Sequence, residues 1–353
     1  TSMIIMTSDQ CLIEKLKKKV ALLSRSSAET CVQLSRAKLE RCEKTNAELV
    51  QLGVSQIARM DGPAILKQAR DLAQQAEAAL SAQDFHAART HARDSMQMLR
   101  ILQRSQWREA TRTLSSAMTS PYTIAYSTLP DHWQMISKIG RSGKNIESNL
   151  LRSGDFEDID TMVVERWKHE QSAIEGTEAI AELYPRDKKS GDFSLRLLAA
   201  PLSRQHMPAH IEGPLVKVTT PPLAVRSGQI VHVTGWVKVS SPITGNPQGA
   251  TFQDSIMGPG GALHWNTQSD WQKIDMIREV PQSDNLILTL SLNGMGSILF
   301  DDLRVIAYTP EPKLYQQTNA AETPPLLESE NENSDGFNLL KKLPKLGPFP
   351  EKE

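Results

Sequence analysis

Gln229-Ile230-Val231-His232-Val233-Thr234-Gly235-Trp236-Val237-Lys238-Val239 is the stretch that decides the fold. Val231, Val233, Val237 and Val239 form one apolar series, and His232, Thr234, Trp236 and Lys238 alternate with them. A period of two is that of a strand with one face on a core and the other turned away from it. Leu286, Leu288, Leu290 and Leu292 repeat the pattern against Ile287, Thr289 and Ser291, as do Phe193, Leu195 and Leu197 against Ser194 and Arg196. Turn-forming Gly, Pro, Asn and Ser recur between these runs. Several half-buried strands with few helical stretches between them predict an antiparallel β-sandwich over residues 145–310.

Upstream the period changes. Leu12, Leu16, Val20 and Leu23 recur at three and four residues, the spacing of a helix face. Asp61-Gly62-Pro63 is a break, with Asp as cap and Pro suited to a first helical turn. Ala64 to Ala82 and His86 to Ala117 then read as two helices joined by a short turn, with Ala69, Ala73, Ala76, Ala88 and Ala92 small enough for close approach. The expectation is a helical hairpin in a small bundle over 10–140. Its last part, from Ser120 to Trp133, carries two prolines and reads as an extended connector, and Gly140 to Lys144 reads as the linker. The fold class is therefore α+β and multidomain: a helical bundle followed by a sandwich.

Met3 to Met6 reads as a strand with no neighbour to pair with, which suggests the last strand of an upstream domain within 1–9. The chain is then expected to be the C-terminal part of a longer protein. Residues 311–353 are rich in Pro, Glu, Asn and Ser and read as a disordered tail. A net charge of −1 gives no bulk attraction to nucleic acid. No apolar run is long enough for membrane insertion. Cys11, Cys31 and Cys42 lack metal or redox spacing and read as free thiols.

The second half carries a resemblance. Asn149-Leu150-Leu151-Arg152-Ser153-Gly154-Asp155-Phe156-Glu157 resembles the opening strand of galactose-binding-like jelly rolls, among them the carbohydrate-binding modules. Gly191 to Leu197, Ser227 to Lys238, and Phe300-Asp301-Asp302-Leu303-Arg304-Val305 resemble their later landmarks, in the same order. The helical half is not covered. The resemblance implies a glycan or polysaccharide partner, an exported or cell-surface setting, and a structural calcium between the first and last strands.

For calcium the residues at those places are Asp155, Glu157, Asp301 and Asp302. Neighbouring residues of a strand face opposite ways, so only one of the last two can join a site; Asp302 with Glu157, beside Asp155, is the expected set. The alternative is that these acids merely finish strands. For sugar, Trp236 with His232 and Lys238 is one candidate patch, and Trp265 with His264 is another. Trp236 either faces ligand or is covered by a neighbouring element. No nucleophile elbow, phosphate loop, zinc spacing or placed carboxylate pair appears. The expectation is a non-catalytic carbohydrate-binding accessory region of a larger, possibly glycoside hydrolase-like, exported protein. The rival is a structural module whose sandwich packs on helices and binds no glycan.

Overall fold

The computed structural model describes residues 7–54, 61–142, 148–172, 174, 176–203 and 210–310. The proposed strand at Met3 to Met6, the last two residues of the linker and the tail from 311 onward lie outside these residues. The chain divides into two compact units: Thr1–Arg112 with Ala125–Trp133, and Thr113–Ile124 with Gln134–Glu353. In place of one cut near residue 140, the chain crosses between units three times.

The first unit is helical. Helices α1 (Gln10–Gln51), α2 (Gly62–Ser81) and α3 (Phe85–Thr111) each start at an aspartate, Asp9, Asp61 and Asp84, whose side chain accepts from first-turn amides. Gln83 takes a left-handed backbone in the α2–α3 turn. The apolar seam of α1 runs Ala28, Val32, Leu39, Cys42 and Leu49, all buried. It meets Leu66, Ala69, Ala73 and Ala76 of α2 and Ala88, Ala92, Leu99 and Leu102 of α3. The alanines bring backbones close enough for Ser95 Oγ to donate to the Ala69 carbonyl at 2.7 Å. α3 ends at Thr111, six residues before the expected stop at Ala117.

The stretch expected to be an extended connector holds two short 3-10 turns and a helix, α4 (Leu129–Arg141). Pro130 sits in the first turn of α4, where no amide partner is lost, so it starts a helix instead of breaking one.

The second unit is the sandwich. Its strands are β1 (Lys168–Gln171), β2 (Thr177–Tyr184), β3 (Ser194–Pro201), β4 (Val216–Thr219), β5 (Leu223–Val225), β6 (Ile230–Thr244), β7 (Ala250–Asp254), β8 (Leu263–Trp265), β9 (Gln272–Glu279), β10 (Asp284–Leu286), β11 (Leu288–Leu292) and β12 (Met295–Tyr308). One sheet has the order β2-β3-β12-β6-β9 and the second β1-β4-β11-β7-β8, with a small β10-β5 ladder beside them. All pairings are antiparallel.

Val231, Val233, Val237 and Val239 of β6 are buried, and they share one core with Leu288, Leu290 and Leu292 of β11. The core is a single layer between the two inner faces. A short helix, α5 (Ile159–Glu165), precedes β1. Residues 149–157, which resemble an opening strand, form turns instead. They still lie along β12: Leu150 N–H donates to Val305 O, and Leu303 N–H donates to Gly154 O. A Cβ at Gly154 would fall 2.0 Å from that Leu303 carbonyl, so only glycine permits the approach.

Candidate functional site

The sandwich presents two outer faces of different character. On the second sheet, register places one outward side chain per strand in a row: Glu170 opposite Lys217, Lys217 opposite Ser291, Ser291 opposite Thr251, and Thr251 opposite His264. A neighbouring row runs Lys168, Thr219, Thr289 and Gln253. Adjacent strands stand about 4.8 Å apart, so the five-residue row crosses roughly 19 Å.

The middle of this face is a cleft of about 490 Å³, floored by Thr251, Ser291, Thr289 and Gln253 and flanked by Lys217 and His264. Pro259 and Ala262, from the turn after β7, stand at its edge. The lining residues are polar or small, with no Trp, Tyr or Phe ring and no carboxylate among them. Lys217 Nζ lies 3.2 Å from Glu170.

The edge turn is held from behind by a buried ion pair. Arg278 Nε donates to Asp254 Oδ2 at 2.8 Å, and its Nη atoms donate to Gly261 O at 3.1 Å and Thr119 O at 3.3 Å. Asp254 Oδ1 accepts from Ile256 and Met257 N–H. Both side chains are almost wholly buried, which makes the pair strong only because every remaining polar atom is satisfied.

The first sheet's outer face is largely committed to packing. Ile230, Ile277 and Tyr308 form a cluster with Met135 and Ile139 of α4 and with Tyr122. Lys138 pairs with Glu279. His232 is buried and its Nε2 lies 2.6 Å from Asp275 Oδ1, while Ser115 Oγ donates to Asp275 Oδ2 at 2.7 Å. Burial pushes the Asp275 carboxyl up, but the bonds to His232 and Ser115 outweigh it and hold the group below the usual carboxylate range. The carboxylate stands between hydroxyl and imidazole, so this is not a nucleophile activated by a base.

Trp236 is half-buried with the Lys189 ammonium 4.3 Å from its ring centroid. Lys238 is paired with Asp187 at 3.1 Å and with Asp270 at 3.4 Å; the hydrogen bond to Asp187 foremost raises its pKa. Trp265 turns inward from β8 and packs edge-on against Phe300, with centroids 6.3 Å apart. His264, the next residue back, turns outward into the cleft. The five residues expected to bind sugar are thus split: His232, Trp236 and Lys238 on one sheet, His264 on the other, Trp265 in the core edge.

The acids also sort differently. Asp302 has a positive φ of 49° and its carboxylate engages Arg304, while Asp155 is exposed on a turn. A register shift between Asp301 and Arg304 breaks the strict alternation, and it is Asp301 that is wholly buried. Asp301 Oδ2 accepts from Lys189 and Ser190 N–H at 2.6 and 3.0 Å. Glu157 accepts from Asp192 and Phe193 N–H, so both acids brace the same 189–193 loop. Asp301 Oδ1 is buried and has no hydrogen-bond partner among the described residues. Burial raises the Asp301 pKa to about 6. Glu157 thus shares the 189–193 loop with Asp301, while Asp302, expected beside Glu157, faces Arg304.

The solved structures this chain resembles include several carbohydrate-binding modules. The CBM22-1 xylan-binding domain of Paenibacillus barcinonensis Xyn10C is 16% identical, over 46% of this chain and 97% of that one, with a TM-score of 0.29. A CBM4 module is 14% identical over 46% and 99%, with a TM-score of 0.31. TmCBM61, solved with β-1,4-galactotriose, is 10% identical over 45% and 98%, with a TM-score of 0.29. No family model and no curated protein matches. The sandwich rests on its own strand order.

The cleft row was missed in the sequence because its residues, from Glu170 to Ser291, come from five separated strands. Only their outward, polar phase along β7 and β11 was visible.

Proposed function

We propose that the sandwich binds a glycan chain laid across the strands of its second sheet, in the cleft floored by Thr251, Ser291, Thr289 and Gln253. The observation that carries this reading is the unbroken row of hydrogen-bonding side chains, one per strand, from Lys217 to His264. A floor that offers hydroxyls and amides every strand suits a ligand that offers hydroxyls at comparable intervals. Without a Trp, Tyr or Phe platform, recognition would come from hydrogen bonds, with the largely buried Thr251 and Ser291 setting orientation. The cleft lining has no carboxylate, and hydrolysis of a glycosidic bond needs two. The cleft is read as a binding surface in an accessory region of a larger exported protein. No helix among the described residues is long and apolar enough to cross a membrane.

Calcium belongs to the same reading. The buried, unpartnered Oδ1 of Asp301 and the Glu157 carboxylate over Gly191 supply hard oxygen donors to one loop. Asp301 and Glu157 would be its only side-chain donors, since no cluster of three potential ligands occurs among the described residues, and main-chain carbonyls would have to complete its shell.

For the first sheet a packing role is the better-supported reading. Tyr122, Met135 and Ile139 cover the face around Ile230, and His232 lies beneath Ser115. The experiment for the leading reading is a glycan array probed with the full chain. Retention on one polysaccharide class supports it. No retention on any glycan, with the chain folded by circular dichroism, removes it.

A further inference from the structure

The first eighteen residues of α1, Gln10–Ser27, carry an apolar face that takes no part in the buried core of the helical unit among the described residues. The buried seam of α1 begins only at Ala28 and continues through Val32, Ser35, Leu39, Cys42, Asn46 and Leu49 at alternating spacings of four and three. Continued backwards, that alternating spacing meets Arg25, Ala21, Lys18 and Glu14, which are exposed. Leu12, Ile13, Leu16, Val20 and Leu23 instead share an arc of about 100°, turned by roughly the same angle from the seam. Val20 is 65% and Leu23 56% exposed, and Ile13, Leu16 and Val20 line an open groove with Lys17. This is a second face on one helix, not a frayed end of the first.

Its spacing and charge say what fits it. Ile13, Leu16, Val20 and Leu23 follow at three, four and three residues, the a and d positions of two heptads. Lys17 and Lys19 then fall at the flanking e and g positions. From Gln10 to Ser27 there are five basic residues and one acid, Glu14. A second copy paired antiparallel would set Lys17 against Lys17 and Lys19 against Lys19. A parallel copy would oppose Lys19 to Ser24 and gain no ion pair.

We infer that Gln10–Ser27 of α1 is a docking face for an acidic amphipathic helix of a partner protein. That helix places apolar residues on Ile13, Leu16, Val20 and Leu23, and glutamates beside Lys17 and Lys19. The flanking charges choose the partner, as in heterotypic coiled coils.

The test uses the full chain and two labelled synthetic helices that have leucine at a and d and either glutamate or lysine at e and g. Fluorescence anisotropy should show binding of the glutamate peptide at least tenfold tighter than the lysine peptide. Leu16→Asp with Leu23→Asp should abolish it without changing helix content. Lys17→Glu with Lys19→Glu should invert the preference, which a merely sticky face would not do. Equal binding of both peptides overturns the inference. So does a dimer of the chain alone by sedimentation equilibrium that Leu16→Asp dissolves. Attachment to phosphatidylserine vesicles that the glutamate peptide cannot displace overturns it too.

Discussion

Replacing Arg278 with alanine should weaken the sandwich and loosen the cleft edge together. The guanidinium is buried and bonds Asp254, Gly261 O and Thr119 O. Removing it leaves the Asp254 carboxylate buried and without its counter-charge. Breaking one side of such a pair costs about 3–5 kcal/mol. The Ile256 and Met257 amides still reach Asp254 Oδ1, which places the expectation near about 3 kcal/mol. For a unit of this size that is a fall in melting temperature of about 6–12 °C. Arg278→Lys should recover only part, because an ammonium cannot serve Asp254, Gly261 and Thr119 at once. Arg278→Met combined with Asp254→Asn should recover more than either change alone. Scanning calorimetry of the full chain reads all five variants. An Arg278→Ala chain within 1 kcal/mol of the parent would refute the claim that this pair holds the edge.

Asp301 gives a pH prediction. Its carboxyl titrates near 6 when folded, above its ordinary value of 3.8, mainly through burial. The folded state thus holds a proton that the unfolded state has released, and metal-free stability should fall as pH rises from about 4 to 6. Asp301→Asn should remove that fall, calcium should offset it, and chelation should restore it; calcium without effect on melting at pH 7 would count against the ion. His132 works in the opposite direction: burial lowers its pKa to about 4, so the helical unit should lose stability as pH drops from 6.5 towards 4. Urea melts of parent and His132→Gln would show the slope and its loss. Burial raises the Cys42 thiol while Cys11 is exposed, so a thiol reagent at pH 8 should label Cys11 at once and Cys42 only after denaturant is added.

Local alternation was enough to read the sandwich, because each of β3, β6 and β11 declares its buried face through residues two apart. It could not show what covers the other face. His232 and Lys238 look alike along β6, yet the first is buried because Asp275 and Ser115, remote in sequence, close over it. Trp265 and His264 are neighbours, and the pleat alone sends one to the core and the other to the cleft. Asp301 and Asp302 were exchanged because a register shift in β12 interrupts the period on which the choice relied. Pro130 reads as a breaker in the sequence because nothing there marks which residue begins the helix.

The central claim is that the second sheet's outer face, and not the Trp236 face, holds the ligand. Isothermal titration with the polysaccharide fragment retained on the array tests it most directly, using Ser291→Val, His264→Ala and Trp236→Ala. Losing one or two hydrogen bonds in the cleft should weaken binding about tenfold or more for Ser291→Val and measurably for His264→Ala, with Trp236→Ala unchanged. Binding that survives both cleft substitutions and disappears with Trp236→Ala would contradict the account.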